Sequence, residues 1–236
     1  MSATATTPAR ARHHAAPSAS RWTGTAHLVR LALRRDRVRL TVWISVLTAM
    51  MLYTPNALEL AYPDEAQRRT RVQLLQTPAG IMMGGPMFGG NETDLGAMMA
   101  NELMLTLIVA TSILAILTVI RHTRAEEEGG TAELVLASPV GRYARTTAAL
   151  LVVGAVNAVI AVTMTAAMAA SGFAVADTAA MCIGVTAVAT VFGAVAAVTA
   201  QLWRVARTAS GAAMALLALA ALIRGVGDVI DHSGSA

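Results

Sequence analysis

The chain has 236 residues, 56% of them hydrophobic and only 14% charged, with a mean hydropathy of +0.58. That is more apolar side chain than a soluble core of this length can bury, so the composition excludes an ordinary soluble domain and points to an all-α polytopic membrane protein. The net charge of +4 rests on 18 basic residues, all Arg, set beside apolar runs with few aromatics, a pattern that argues against nucleic acid as a partner.

Residues 1–20 are rich in Ala, Thr, Ser and Pro and lack the apolar run of a signal peptide, so they read as a disordered cytoplasmic tail. His13 and His14 are adjacent, do not share a helix face and offer no metal site. Residues 21–39 interleave Leu28, Val29, Leu31, Leu33 and Val38 with Arg30, Arg34, Arg35, Arg37 and Arg39, as an amphipathic helix at the membrane interface does. Those arginines either bind anionic lipid headgroups or simply fix the orientation of the chain.

A first span is expected over about 40–60, interrupted near its outer end by Pro55, Asn56 and Glu59, with Pro55 expected to kink it. Residues 61–94 read as a water-facing loop, with Pro63, Pro78 and Pro86 and the glycine-rich string GIMMGGPMFGGNETD. The glycines lack the spacing of a nucleotide cradle, and Met82, Met83 and Met87 read as packing at the interface instead of binding copper. The second span covers about 95–120, with Asn101 and Glu102 near its outer end, where Glu102 is either wet or part of a substrate pathway.

The stretch RHTRAEEEGGTAELVLASPVGRYAR, Arg121 to Arg145, is the polar joint between two apolar runs. Gly129 and Gly130 break the helix after Glu126, Glu127 and Glu128; Thr131 then caps a short helix carrying Glu133 and Leu134 on the water side. RHTRAEEEGGTAEL followed by SPVGRYAR resembles the corresponding loop of the ATP-binding-cassette exporter permeases of the second type, most closely the actinobacterial polyketide-antibiotic and multidrug exporter permeases. One departure is Thr131, where that subgroup often carries a basic residue. The resemblance implies that this loop docks on a separate nucleotide-binding ATPase, with Glu126, Glu127, Glu128, Gly129, Gly130, Thr131, Glu133 and Leu134 as the coupling residues.

The third and fourth spans are expected over about 146–170 and 178–202, antiparallel across a short connection and rich in small residues that permit close packing. Asn157 is the one strongly polar side chain in mid-span and reads as hydrogen-bonding to a neighbouring helix. Cys182 lies in an apolar run and reads as a small buried hydrophobe. A fifth span over about 208–223 is followed by Arg224 and Asp228, four apart on one helix face and therefore able to pair. LALAALIRGVGDVI also resembles the end of a span in the exporter-permease family. The permease domain as a whole runs over 40–231, with 232–236 as a tail.

With the N-terminus in the cytoplasm, 14 of the 18 arginines lie on the inner side, as the positive-inside rule asks for a bacterial plasma membrane protein. Five spans then leave the C-terminus outside. Family members are about twice this long with two similar halves, or dimers of six-span units, so the chain is expected to be an N-terminal portion, a natural truncation or part of a split permease. It would need a second half or a homodimer partner as well as the ATPase and membrane lipid. The exporter reading implies an ATP-driven permease for hydrophobic small molecules such as antibiotics or drugs.

No nucleotide-binding motif, cofactor site, metal cluster or nucleophile–base pair is apparent. Intramembrane prenyl endopeptidases also carry a Glu-Glu pair, but there Arg follows and His residues sit in later spans; here Gly-Gly-Thr follows Glu127 and Glu128. An intramembrane enzyme and a non-transporting membrane anchor are the alternative readings.

Overall fold

The computed structural model of the protein describes residues 22–87, 94–129, 141 and 143–233. All regular elements among them are helical, and five helices are long and apolar enough to cross a membrane. The elements are α1 (Thr25–Arg35), α2 (Arg37–Ala61), α3 (Glu65–Leu75), α4 (Pro78–Gly84), α5 (Leu95–Ile120), α6 (Ala144–Ala170), α7 (Val175–Leu202) and α8 (Ala206–Ser233). The spans are α2, α5, α6, α7 and α8, so the fold is an all-α polytopic membrane protein.

The centre of the bundle is α5, α6 and α7, each apolar on nearly all sides, as a helix flanked by both protein and lipid must be. Close approach there depends on small side chains. A methyl group placed on Gly193 of α7 would lie 3.2 Å from Val153 of α6 and 3.7 Å from Ala115 of α5, so hydrogen at that position sets the helix spacing. The buried amide of Asn157 in α6 donates to Thr190 Oγ1 (2.9 Å) and to the Thr186 carbonyl (3.3 Å) of α7. Thr48 of α2 donates to Thr163 of α6 at 3.0 Å. Cys182 is fully buried within the same apolar core. Between α6 and α7 the chain reverses through Gly172, whose φ of +88° is a left-handed conformation suited to glycine.

The outer members are α2 and α8. Pro55 removes one N–H from α2, yet the helix continues to Ala61, and Thr54 and Asn56 donate to the carbonyls of Met50 (2.8 Å) and Leu52 (3.2 Å). The interfacial segment and the first span meet at Asp36, earlier than the expected boundary at residue 39, because Asp36 leaves helical geometry. The last helix continues past residue 223 to Ser233, with Arg224 Nε 3.0 Å from Asp228 Oδ2 along its face.

Residues 61–87 differ from the expected loop. They contain α3, stabilised along one side by the Glu65–Arg69 pair at 2.6 Å, and α4, which begins at Pro78 with the Thr77 hydroxyl accepting from Gly80 N. Both helices fold back onto the bundle. Arg71 of α3 donates through Nε to Glu102 Oε1 of α5 at 3.0 Å and through Nη2 to the same oxygen. This hydrogen bond raises the Arg71 pKa above its ordinary value in spite of partial burial. Asn101 of α5 donates to the Gly85 carbonyl at the end of α4 (3.0 Å), while α4 also packs on Gly225 of α8 through Met82. Of the three methionines, Met83 is exposed, Met82 borders α8 and Met87 packs against the apolar core.

Candidate functional site

The helix that starts as α5 does not stop where its apolar sequence stops. It passes through a π-helical turn, Arg121–Ala125, into a short helical turn, Glu126–Glu128, and ends at Gly129. The continuous helix from Leu95 to Glu128 has 34 residues, roughly 50 Å at 1.5 Å per residue, against roughly 30 Å of bilayer core. Its final turns therefore project beyond the apolar layer. The wider π turn alters which side chains face inward, and His122 and Thr123 are both buried although they follow one another in sequence.

Each of the three glutamates at this helix end is committed to a different neighbour. Glu126 accepts from Arg35 of α1 at 3.2 Å and lies 3.4 Å from His122 Nδ1. Glu127 pairs with Arg124 and, at 3.2 Å, with Arg145 of α6. Glu128 Oε1 accepts the backbone N–H of Ala206, the first residue of α8, at 2.6 Å. Arg145 also donates to the Thr123 carbonyl (2.8 Å), and Arg124 donates to the Ala200 carbonyl near the end of α7 through Nε (3.0 Å) and Nη2 (2.5 Å). A few turns of polar helix thus touch α1, α6, α7 and α8.

A second layer of the same network lies at the α1–α2 elbow. Asp36 is only 2% exposed, and its carboxylate faces Arg121 Nε (3.0 Å), His122 Nε2 (3.0 Å) and, more distantly, Arg39 (3.8 Å). Arg39 donates its other amino group to Thr118 of α5 at 2.8 Å. The two nitrogens of His122 face two carboxylates, and an imidazole carrying one N–H can donate to only one of them. A carboxylate buried to this degree is tolerable only with such partners around it.

The return limb of the joint is also held. Gly141 N–H donates to the Thr23 carbonyl at 3.0 Å, and the Trp22 and Tyr143 rings stand 5.9 Å apart at 40°. Glu126, Glu127, Glu128 and Gly129 are thus placed at the projecting end of α5; Gly130, Thr131, Glu133 and Leu134 lie outside the described residues. Asn157 is mid-bundle, while the Arg224–Asp228 pair borders α4, far along the chain from the joint. Sequence reasoning did not single out Asp36 or His122. Their only local signals are an acid inside a run of arginines and a histidine one residue past an apolar span; the pairing itself joins residues 86 positions apart.

Fold and site together define a multi-pass membrane protein in which the second span extends into a charged, multiply tethered joint. No protein-family model matches the chain. It is 38% identical over 231 residues to the multidrug efflux system permease protein Rv1217c of Mycobacterium tuberculosis, an alignment covering 97% of this chain and 41% of that protein. The chain thus spans less than half the length of this relative. The similarity is therefore to part of an efflux-system permease, in line with the multi-pass fold.

Proposed function

We propose that the chain is a membrane-spanning permease part of an ATP-driven exporter of hydrophobic small molecules such as antibiotics or drugs, sited in the bacterial plasma membrane with its N-terminus in the cytoplasm. A separate nucleotide-binding ATPase docks on the joint between α5 and α6, which carries Glu126–Glu128 and continues through Gly130, Thr131, Glu133 and Leu134. A second permease half, or a second copy of the chain, completes the pathway.

The observation that carries this reading is the unbroken helix from Leu95 to Glu128, tied at its projecting end to α1, α6, α7 and α8. A push on the joint has no slack to take up before it reaches the spans. Closure of the ATPase would therefore tilt α5 and α6 as a unit, switching access between the two sides of the membrane.

The test uses the chain assembled with its ATPase and second half in lipid vesicles. Replacing Glu127 and Glu128 together with Ala is expected to weaken ATPase capture and ATP-dependent dye export while leaving the protein in the membrane. Normal capture and export by that variant would count against docking at this site. Dye movement driven by a proton gradient without ATP would point to a secondary transporter.

A further inference from the structure

At the end of the bundle opposite the charged joint, a cavity of about 950 Å³ opens between the C-terminal part of α2, the start of α5, the end of α6 and the start of α7. Its inner wall is apolar and soft: Met51, Met99 and Met168 are buried there, and the Phe173 ring lies beside Gly96. Toward the exposed side the lining carries, among the described residues, the carboxylates of Glu59, Asp94 and Asp177 and no Arg or His. Asp94 already caps α5 by accepting from Gly96 N at 2.9 Å. Glu59 and Asp177 make no ion pair or side-chain hydrogen bond among the described residues.

We infer that this cavity is a binding site for lipophilic organic monocations. The volume suits a drug-sized molecule, and the buried methionines and the Phe173 ring suit a polarisable apolar body. Beside low-dielectric walls the carboxylates attract a delocalised positive charge and repel an anion of the same shape. A bare metal ion suits it poorly, since no group of three or more potential ligands among the described residues is close enough to hold one. The inference rests on the exporter reading only in naming a substrate class for it; the binding itself requires no ATPase.

The test is site-specific protection in the full chain, embedded in lipid nanodiscs and carrying Cys182→Ser and Ala97→Cys, because Ala97 lines the cavity. Tetraphenylphosphonium should slow labelling by an uncharged maleimide roughly tenfold, whereas isosteric tetraphenylborate should leave the rate unchanged. Adding Glu59→Gln and Asp177→Asn should abolish protection while the unliganded rate stays the same, which shows that the variant is folded. Equal protection by both ions, no protection by the cation, or protection that survives loss of both charges would overturn the site. If protection holds but the assembled exporter moves no dye with ATP, the exporter reading fails and the binding site stands. If the exporter works on neutral compounds and the cation gives no protection, the reverse is true.

Discussion

Asp36 and His122 meet at 3.0 Å across 86 positions of sequence, joining the elbow between α1 and α2 to the π-helical turn at the end of the second span. Both side chains are almost fully buried, so the contact is a structural commitment in a region otherwise rich in solvated arginine. Removing the carboxylate leaves His122, Arg121 and Arg39 facing one another. Asp36→Ala is expected to cost about 1–3 kcal/mol, with Asp36→Asn costing less because one acceptor survives. Native Cys182 provides the readout, since a buried thiol reacts with a fluorogenic maleimide only as the bundle opens on heating. An unchanged reaction midpoint in Asp36→Ala would show that the elbow bears no load.

Glu128 does for α8 what a local capping residue usually does, from 78 positions away. Its carboxylate accepts the Ala206 N–H at the positive end of that helix, so it satisfies an otherwise unpaired donor and faces the helix dipole favourably. Loss of such a cap typically costs ~1 kcal/mol. Glu128→Ala should therefore lower the thermal midpoint and speed amide hydrogen exchange at the start of α8, whereas Glu128→Gln should retain most of the protection. Equal exchange in all three proteins would remove the capping role.

The spans were legible because their signal is local. The apolar run ending at Ile120 needs no partner to be recognised, and Arg121 marks its limit. The Asp36 elbow was not legible, since an aspartate among arginines has the same local pattern whether it stays wet or folds onto a histidine 86 residues on. For α3 the obstacle was composition: EAQRRTRVQLL has little apolar periodicity, and its helix is held by Glu65–Arg69 and by Arg71 reaching Glu102. For α4 the Thr77–Pro78 start was present in the sequence, but the following glycines suggested a loop until packing against α8 supplied the missing stability. At the candidate site the three glutamates were visible and their separate destinations were not, because each partner lies on another element.

Gly193 makes a sharper test of packing than any polar contact. Its position leaves 3.2 Å between an added methyl and Val153, a distance a small shift can relieve, but a branched side chain would reach toward Ala115 and Val119 as well. Gly193→Ala should be close to neutral, while Gly193→Leu should destabilise by about 1–3 kcal/mol by forcing α5, α6 and α7 apart. The same Cys182 reaction measures both. A Gly193→Leu protein as stable as the parent would mean that the three helices are not packed at this distance.

Orientation remains a prediction that charge makes and chemistry can check. Arg35, Arg39, Arg121, Arg124, Arg145, Arg204 and Arg207 all belong to the end of the bundle where α5 projects, whereas Arg68, Arg69 and Arg71 belong to α3 at the other end. Five of the first group are engaged by Asp36, Glu126 or Glu127, yet the positive-inside rule counts basic residues near span ends and gives acids little weight. The projecting joint should therefore face the cytoplasm. In a Cys182→Ser background, Gln67→Cys on the exposed side of α3 should react with an impermeant thiol reagent added to intact cells. Val205→Cys, in the exposed turn between α7 and α8 beside Glu128, should react only after the membrane is opened. Labelling of both from the outside would break the topology, and the reverse pattern would invert it. Either result would also remove the docking reading, because an ATPase that consumes cytoplasmic ATP cannot reach a joint on the far side.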